Sequence, residues 1–251
     1  MKKWRSILIG AALCCAVAWG LSAVRREAYL AVDNTVLIPE PEQKYVALTF
    51  DDGPRPSSTA RLLDGLAERG AKATFFLIGE QIEANAALVQ RMAAEGHQVG
   101  NHTWSHVRLA EAEAPVVSEQ LVKTDTALRT LLGENDYWVR VPYGLIRDDQ
   151  RSLFSQPLIQ WSVDPEDWRL RDADAVTDFV LEQVQPGDII LLHDSLETSV
   201  DAALRIVDAL QQQGYTFLTV RELLEEAGVT PEAGVRYRSV KNAMENNETQ
   251  R

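Results

Sequence analysis

Asp51 and Asp52 stand side by side in the run Thr49-Phe50-Asp51-Asp52-Gly53-Pro54. On an extended strand two adjacent side chains face opposite ways, but the Gly-Pro turn ends the strand here and lets both carboxylates aim at one point. Further on comes His102-Thr103-Trp104-Ser105-His106. Imidazoles four residues apart share one face of a helix, a spacing suited to gripping a single metal ion. Two histidines and one carboxylate form a zinc-type ligand set that leaves room for water and substrate. Three more polar clusters follow: Arg140-Val141-Pro142-Tyr143-Gly144, Trp161-Ser162-Val163-Asp164-Pro165-Glu166-Asp167-Trp168 and Leu191-Leu192-His193-Asp194.

Each cluster alone has an ordinary structural reading. Aspartates satisfy turn donors, histidines pack or cap, an arginine leaves a strand as a surface charge, and tryptophans fill a core. His97, the fourth histidine, follows a glycine helix stop and reads as ordinary. What the ordinary readings do not explain is where the five clusters fall.

Strand-like segments are expected at 44–50, 73–78, 98–101, 137–141, 158–163, 188–192 and 215–218, with amphipathic helical stretches at 57–69, 80–95, 113–132, 172–184 and 200–213 between them. Ser57-Ser58 and Asp172 are expected N-caps, and Gly70, Gly96 and Gly214 expected helix stops. Strands separated by helices imply a parallel sheet with crossovers. Every cluster then sits where a strand ends, the edge at which parallel α/β folds build their sites. Contributions from the first, third, fourth, fifth and sixth strands favour a barrel, which gathers groups around one centre, over an open sheet.

The 251 residues carry 25 Lys and Arg against 37 Asp and Glu, a formal charge of −12, which argues against nucleic acid as a partner. Lys2, Lys3 and Arg5 precede an uncharged stretch at 7–24, closed by Arg25 and Arg26. Eighteen helical residues reach about 27 Å, just short of a ~30 Å hydrocarbon core. A retained membrane anchor and a cleaved signal peptide both fit residues 1–26, and either exports the remainder. Both cysteines, Cys14 and Cys15, lie in that stretch, so the exported part has neither disulfide nor thiolate metal site. Residues 27–43 read as a linker, 44–228 as the catalytic domain and 229–251 as a frayed tail.

In order and spacing, TFDDGP, HTWSH, RVPYG, WSVDPEDW and LLHD resemble the five motifs of the polysaccharide deacetylases, the NodB-homology carbohydrate esterases of family 4. The likeness covers 44–224, and its one departure is Val141, where proline is frequent in the family. It implies a distorted seven-stranded (β/α) barrel and metal-dependent removal of N-acetyl, sometimes O-acetyl, groups from polymeric sugars. It implies that Asp52, His102 and His106 hold the metal, with Zn²⁺ first and Co²⁺ or Ni²⁺ accepted by the same ligands. It makes Asp51 the general base, Arg140 its charge partner, and His193 the general acid tuned by Asp167. Tyr143 would offer its backbone N–H to the oxyanion, while Trp168 and Leu191 would line a pocket for the acetyl methyl. An extracellular acetylated glycan is the expected partner, with peptidoglycan N-acetylglucosamine foremost and chitin, xylan or another acetylated polymer as alternatives. A glycan-binding protein that no longer catalyses, and a deacylase of small molecules, are the readings of other classes.

Overall fold

The computed structural model describes residues 43–249. Strand β1 (Lys44–Asp51) carries the run Val46 to Phe50 with every side chain buried, the signature of a parallel strand covered on both faces. β2 (Thr74–Leu77) and β5 (Ile189–His193) flank β1 in parallel, and β3 (Gln98–Asn101) continues the sheet beyond β2. β6 (Tyr215–Phe217) pairs with the first residues of β1. Phe50 stacks on Phe75 with ring centroids 5.3 Å apart inside this core.

Helices α1 (Ser58–Glu68), α2 (Ala86–Ala94), α3 (Ala114–Leu132), α4 (Asp167–Leu170), α5 (Ala173–Gln183), α6 (Glu197–Gln212) and α7 (Val220–Glu226) make the connections. Leu62, Leu63 and Leu66 form the buried stripe of α1, and Val200, Ala203, Ile206, Val207 and Leu210 that of α6. The expected caps divide. Asp172 accepts from the N–H groups of Asp174 and Ala175, whereas Ser57 occupies the N-cap of α1 without a side-chain bond. Gly70, Gly96 and Gly214 all take the left-handed backbone their helix stops need.

The strands at 137–141 and 158–163 are shorter than expected. Val139 bridges Asn101 on one side and Leu158 on the other, and only β4 (Leu158–Ile159) and a bridge from Val163 to Ile190 continue the circuit. Pro142 offers no N–H to extend the first ladder, and the N–H groups of Ser162 and Val163 both converge on the Ile189 carbonyl, a bulge that interrupts the second. Parallel pairings nevertheless run from β1 through β2, β3, Val139 and the 158–163 segment to β5 and back to β1. The barrel expectation is met to that extent.

The expected frayed tail is folded instead. β7 (Arg236–Tyr237) pairs with β4, α8 (Val240–Thr249) follows, and Val229, Tyr237 and Ala243 are buried. Apolar residues are too sparse there for periodicity to show them, but β4 leaves an edge that this segment covers. The N-terminal apolar run lies outside the described residues. Among the described residues no helix is long and apolar enough to cross a membrane.

Candidate active site

Register brings the clusters to one rim. Asp51 pairs with His193 across β1 and β5, Leu77 with Asn101 across β2 and β3, and Asn101 with Val139. The residue after each of these strand ends is thereby delivered to the same edge of the sheet.

At the end of β1 the backbone of Asp52 turns left-handed, with φ of 70°. This reverses the alternation of an extended strand and returns the second carboxylate to the side of the first. His102 Nε2 lies 3.6 Å from Asp51 Oδ2 and 3.6 Å from Asp52 Oδ1. Gly53 is required where it is, since a Cβ there would come within 2.4 Å of the Asp194 carboxylate.

His102 and His106 are not on a helix, as their spacing predicts, but on a tight loop with Thr103 and His106 left-handed. Side-chain acceptors replace the helical carbonyls. Asn101 Oδ1 takes the Thr103 N–H, Gln120 Oε1 takes those of Trp104 and Ser105, and Thr103 Oγ1 takes that of His106. The loop holds the two rings 5.0 Å apart, with His106 Nε2 3.3 Å from Asp52 Oδ1. His102 Nδ1 donates to the Arg140 carbonyl at 2.7 Å, which turns the lone pair of Nε2 toward the carboxylates. Burial and the neighbouring His102 push the His106 pKa below its ordinary value, favouring a neutral ligand.

One oxygen tests whether these residues fit a cation. Asp52 Oδ1 is buried and has no hydrogen-bond partner among the described residues. Ligand atoms of Asp52, His102 and His106 all lie within 4.8 Å of one another. A buried anionic oxygen facing two imidazole nitrogens is an electrostatic concentration that a divalent cation relieves. The donor set fits the group.

Arg140 is fully buried. Its Nη1 donates to Asp51 Oδ1 at 2.9 Å and Thr49 Oγ1 at 2.7 Å, and Nη2 and Nε reach the carbonyls of Gln160 and Ile159. The guanidinium lies 4.2 Å from the Phe76 ring centroid. On the opposite flank Asp167, wholly buried at the start of α4, accepts from His193 twice, at Nδ1 (2.7 Å) and at the backbone N–H (2.8 Å). Burial alone would lower the His193 pKa, but the bond and charge of Asp167, with Asp51 and Asp52 behind, raise it to about 9.

A cleft of about 570 Å³ opens over these groups, walled by half-exposed Tyr143 and Trp168 and by buried Leu191. Tyr143 is left-handed, with φ of 60°, and its ring meets that of His106 edge-on at 4.8 Å. The structure thus gathers all ten expected residues around one cleft or immediately behind it. His97 lies elsewhere, as expected: its Nδ1 accepts from the Ala73 N–H, and burial, with Lys72, pushes its pKa down to about 4.

Sequence reasoning missed four participants. Thr49 bonds Arg140, Trp161 and Arg108 line the cleft, and Asp194 is a buried acid bonded by the Thr59 hydroxyl. Burial pushes Asp194 up to about 7, helped by the Asp52 and Asp51 charges. All but Arg108 lie inside the motifs themselves, and Arg108 follows His106 by two residues. Proximity to the clusters was the one available signal.

A family model described as polysaccharide deacetylase matches residues 39–156, a window that includes Asp51, Asp52, His102, His106, Arg140 and Tyr143. The peptidoglycan-N-acetylmuramic acid deacetylase PdaC of Bacillus subtilis (strain 168) is 40% identical over 186 residues, which are 74% of this chain and 40% of that protein. The chain therefore spans less than half of that relative's length. The peptidoglycan-N-acetylglucosamine deacetylase of Bacillus cereus is 40% identical over 187 residues, covering 72% of this chain and 68% of its own. Among solved structures, a family 4 acetyl xylan esterase from Clostridium thermocellum in complex with a cobalt ion matches with a TM-score of 0.75 at 31% identity, covering 78% of this chain and 99% of that one.

Proposed function

The chain belongs to the polysaccharide deacetylase family, and we propose that it is a metal-dependent hydrolase that removes N-acetyl groups from an extracellular glycan, with peptidoglycan N-acetylglucosamine as its substrate. The observation that carries this reading is the convergence of Asp52, His102 and His106 on one point, with Asp51 and His193 lining the same cleft.

An amide carbonyl is a poor electrophile and an amine a poor leaving group, so the site must help both ends of the reaction. A divalent cation on Asp52, His102 and His106, Zn²⁺ first, would polarise the acetyl carbonyl and make water more acidic. Asp51 takes the proton from the attacking water. The Arg140 guanidinium donates to its Oδ1 at 2.9 Å and fixes the carboxylate in place for that role. The Tyr143 N–H would donate to the oxygen that gains charge as water adds to the acyl carbon. His193, kept protonated by Asp167, then gives its proton to the sugar nitrogen as the carbon–nitrogen bond breaks, releasing acetate and the free amine. Leu191 offers an apolar wall for the methyl group, and the exposed faces of Trp168 and Tyr143 offer surfaces on which a sugar ring can lie.

The names of the relatives from Bacillus support peptidoglycan as the polymer. The charged-apolar-charged N-terminal segment supports an extracellular, membrane-attached catalytic domain. The test is release of acetate from defined acetylated glycan oligomers, measured with mass spectrometry of the products and metal analysis of the same preparation. Peptidoglycan fragments are expected to yield glucosamine. Absence of acetate from every peptidoglycan, chitin and xylan oligomer would overturn the reading.

A further inference from the structure

One cation in the cleft has no part in the chemistry above. Arg108 is exposed and is the only lysine or arginine lining the cleft among the described residues. Its Cζ lies 4.2 Å from the Tyr143 ring centroid, and that ring packs on His106. The guanidinium, the phenol and the ligand imidazole therefore form a contiguous row, the two rings meeting edge-on. Among the described residues the Arg108 guanidinium makes no ion pair and no hydrogen bond, in contrast to Arg140, which is fully engaged behind Asp51.

We propose that Arg108 is a specificity-determining residue that binds a carboxylate on the glycan, within about a sugar's width of the acetamide being cleaved; this rests on the deacetylase reading. The contact with Tyr143 holds the guanidinium over the cleft and leaves its N–H fork without a protein acceptor among the described residues, and that fork matches a carboxylate better than a lone hydroxyl. The setting makes the choice stronger. The chain carries a net charge of −12, and Asp51, Asp52 and Asp164 also line the cleft; the reaction itself uses the His193 imidazolium and the metal ligands, which leaves Arg108 as the positive group free to select an acidic sugar. The lactyl-ether carboxylate of a muramic residue that carries no stem peptide has this chemistry, and it lies on the sugar next to the reacting N-acetylglucosamine.

The probes are a peptidoglycan oligomer with free lactyl carboxylates and the same oligomer with those carboxylates converted to primary amides. Both kcat/KM for acetate release and the Kd by calorimetry are measured for the wild type, Arg108→Gln and Arg108→Lys. The wild type is expected to favour the acid over the amide about tenfold, the factor that corresponds to ~1.4 kcal/mol. Arg108→Gln should bring the ratio to about one, and Arg108→Lys should keep part of it, weakened by salt. An equal loss on both oligomers in Arg108→Gln would mean that the residue merely supports Tyr143, and would overturn the proposal, as would a wild type with no preference. Failure of the wild type to turn over either oligomer refutes the deacetylase reading instead, and the ratio of the two Kd values still decides the role of Arg108.

Discussion

Replacing Asp167 by asparagine removes one charge and almost no volume at the point where the site sets its proton balance. Asp167 Oδ1 lies 2.7 Å from His193 Nδ1 and Oδ2 lies 2.8 Å from the His193 backbone N–H. Asparagine can accept only one of these bonds, and it carries no charge to oppose burial. With its pKa at about 9, His193 is more than nine-tenths protonated at pH 7.5. In Asp167→Asn burial dominates, the pKa falls to or below the ordinary value near 6.5, and at pH 7.5 about one molecule in ten or fewer keeps the acid. The expected result is a loss of about tenfold or more in kcat at pH 7.5, with the alkaline limb of the pH–rate profile moved toward acid. Bound metal should be unchanged, because Asp167 bonds none of the three ligands. The stability of the fold follows the same proton. A folded pKa above the unfolded value stabilises fully below about pH 6.5, and this contribution is lost as pH rises through about 9. The wild type should lose roughly 3 kcal/mol across that window and the variant should not. The assays are the pH–rate profile, an NMR titration of the His193 ring, and urea unfolding at several pH values. A His193 ring that still titrates near 9 in Asp167→Asn would refute the reasoning.

Asp52→Ala and His106→Ala should lose bound metal by elemental analysis, and with it activity. Asp51→Asn should keep the metal while turnover falls by about 10² or more, and metal loss in that variant would mean that the two aspartates have exchanged roles. Arg140→Met should destabilise the fold by about 3–5 kcal/mol in urea unfolding, because Asp51 would remain buried without its charge partner. A loss under 1 kcal/mol would show that Asp51 finds compensation elsewhere.

The order of the elements and the chemistry of the clusters are legible in the residues alone. A buried apolar run such as Val46–Phe50 permits little but a covered parallel strand, and two carboxylates at its end with two histidines four apart announce a cation. Local patterns of this kind are legible because burial and turn preference act over a few residues. Helix caps were half legible, since Asp172 closes its helix with its own neighbours while Ser57 does not. The remainder depends on contacts that exist once the chain has folded. Spacing put His102 and His106 on a helix, yet the acceptors that hold their loop come partly from Gln120 on α3, which no local pattern reveals. The 229–249 segment looked unstructured because what stabilises it is the edge of β4 it covers, a partner some eighty residues away. Arg140 and Arg108 are the same residue type, one opening a cluster and the other two positions past one, but Arg140 is locked in the core by Asp51 and Arg108 lies free over Tyr143. A side chain's charge is written in the sequence, whereas its solvent, partners and pKa come from groups distant along the chain, and those are fixed only when the chain folds.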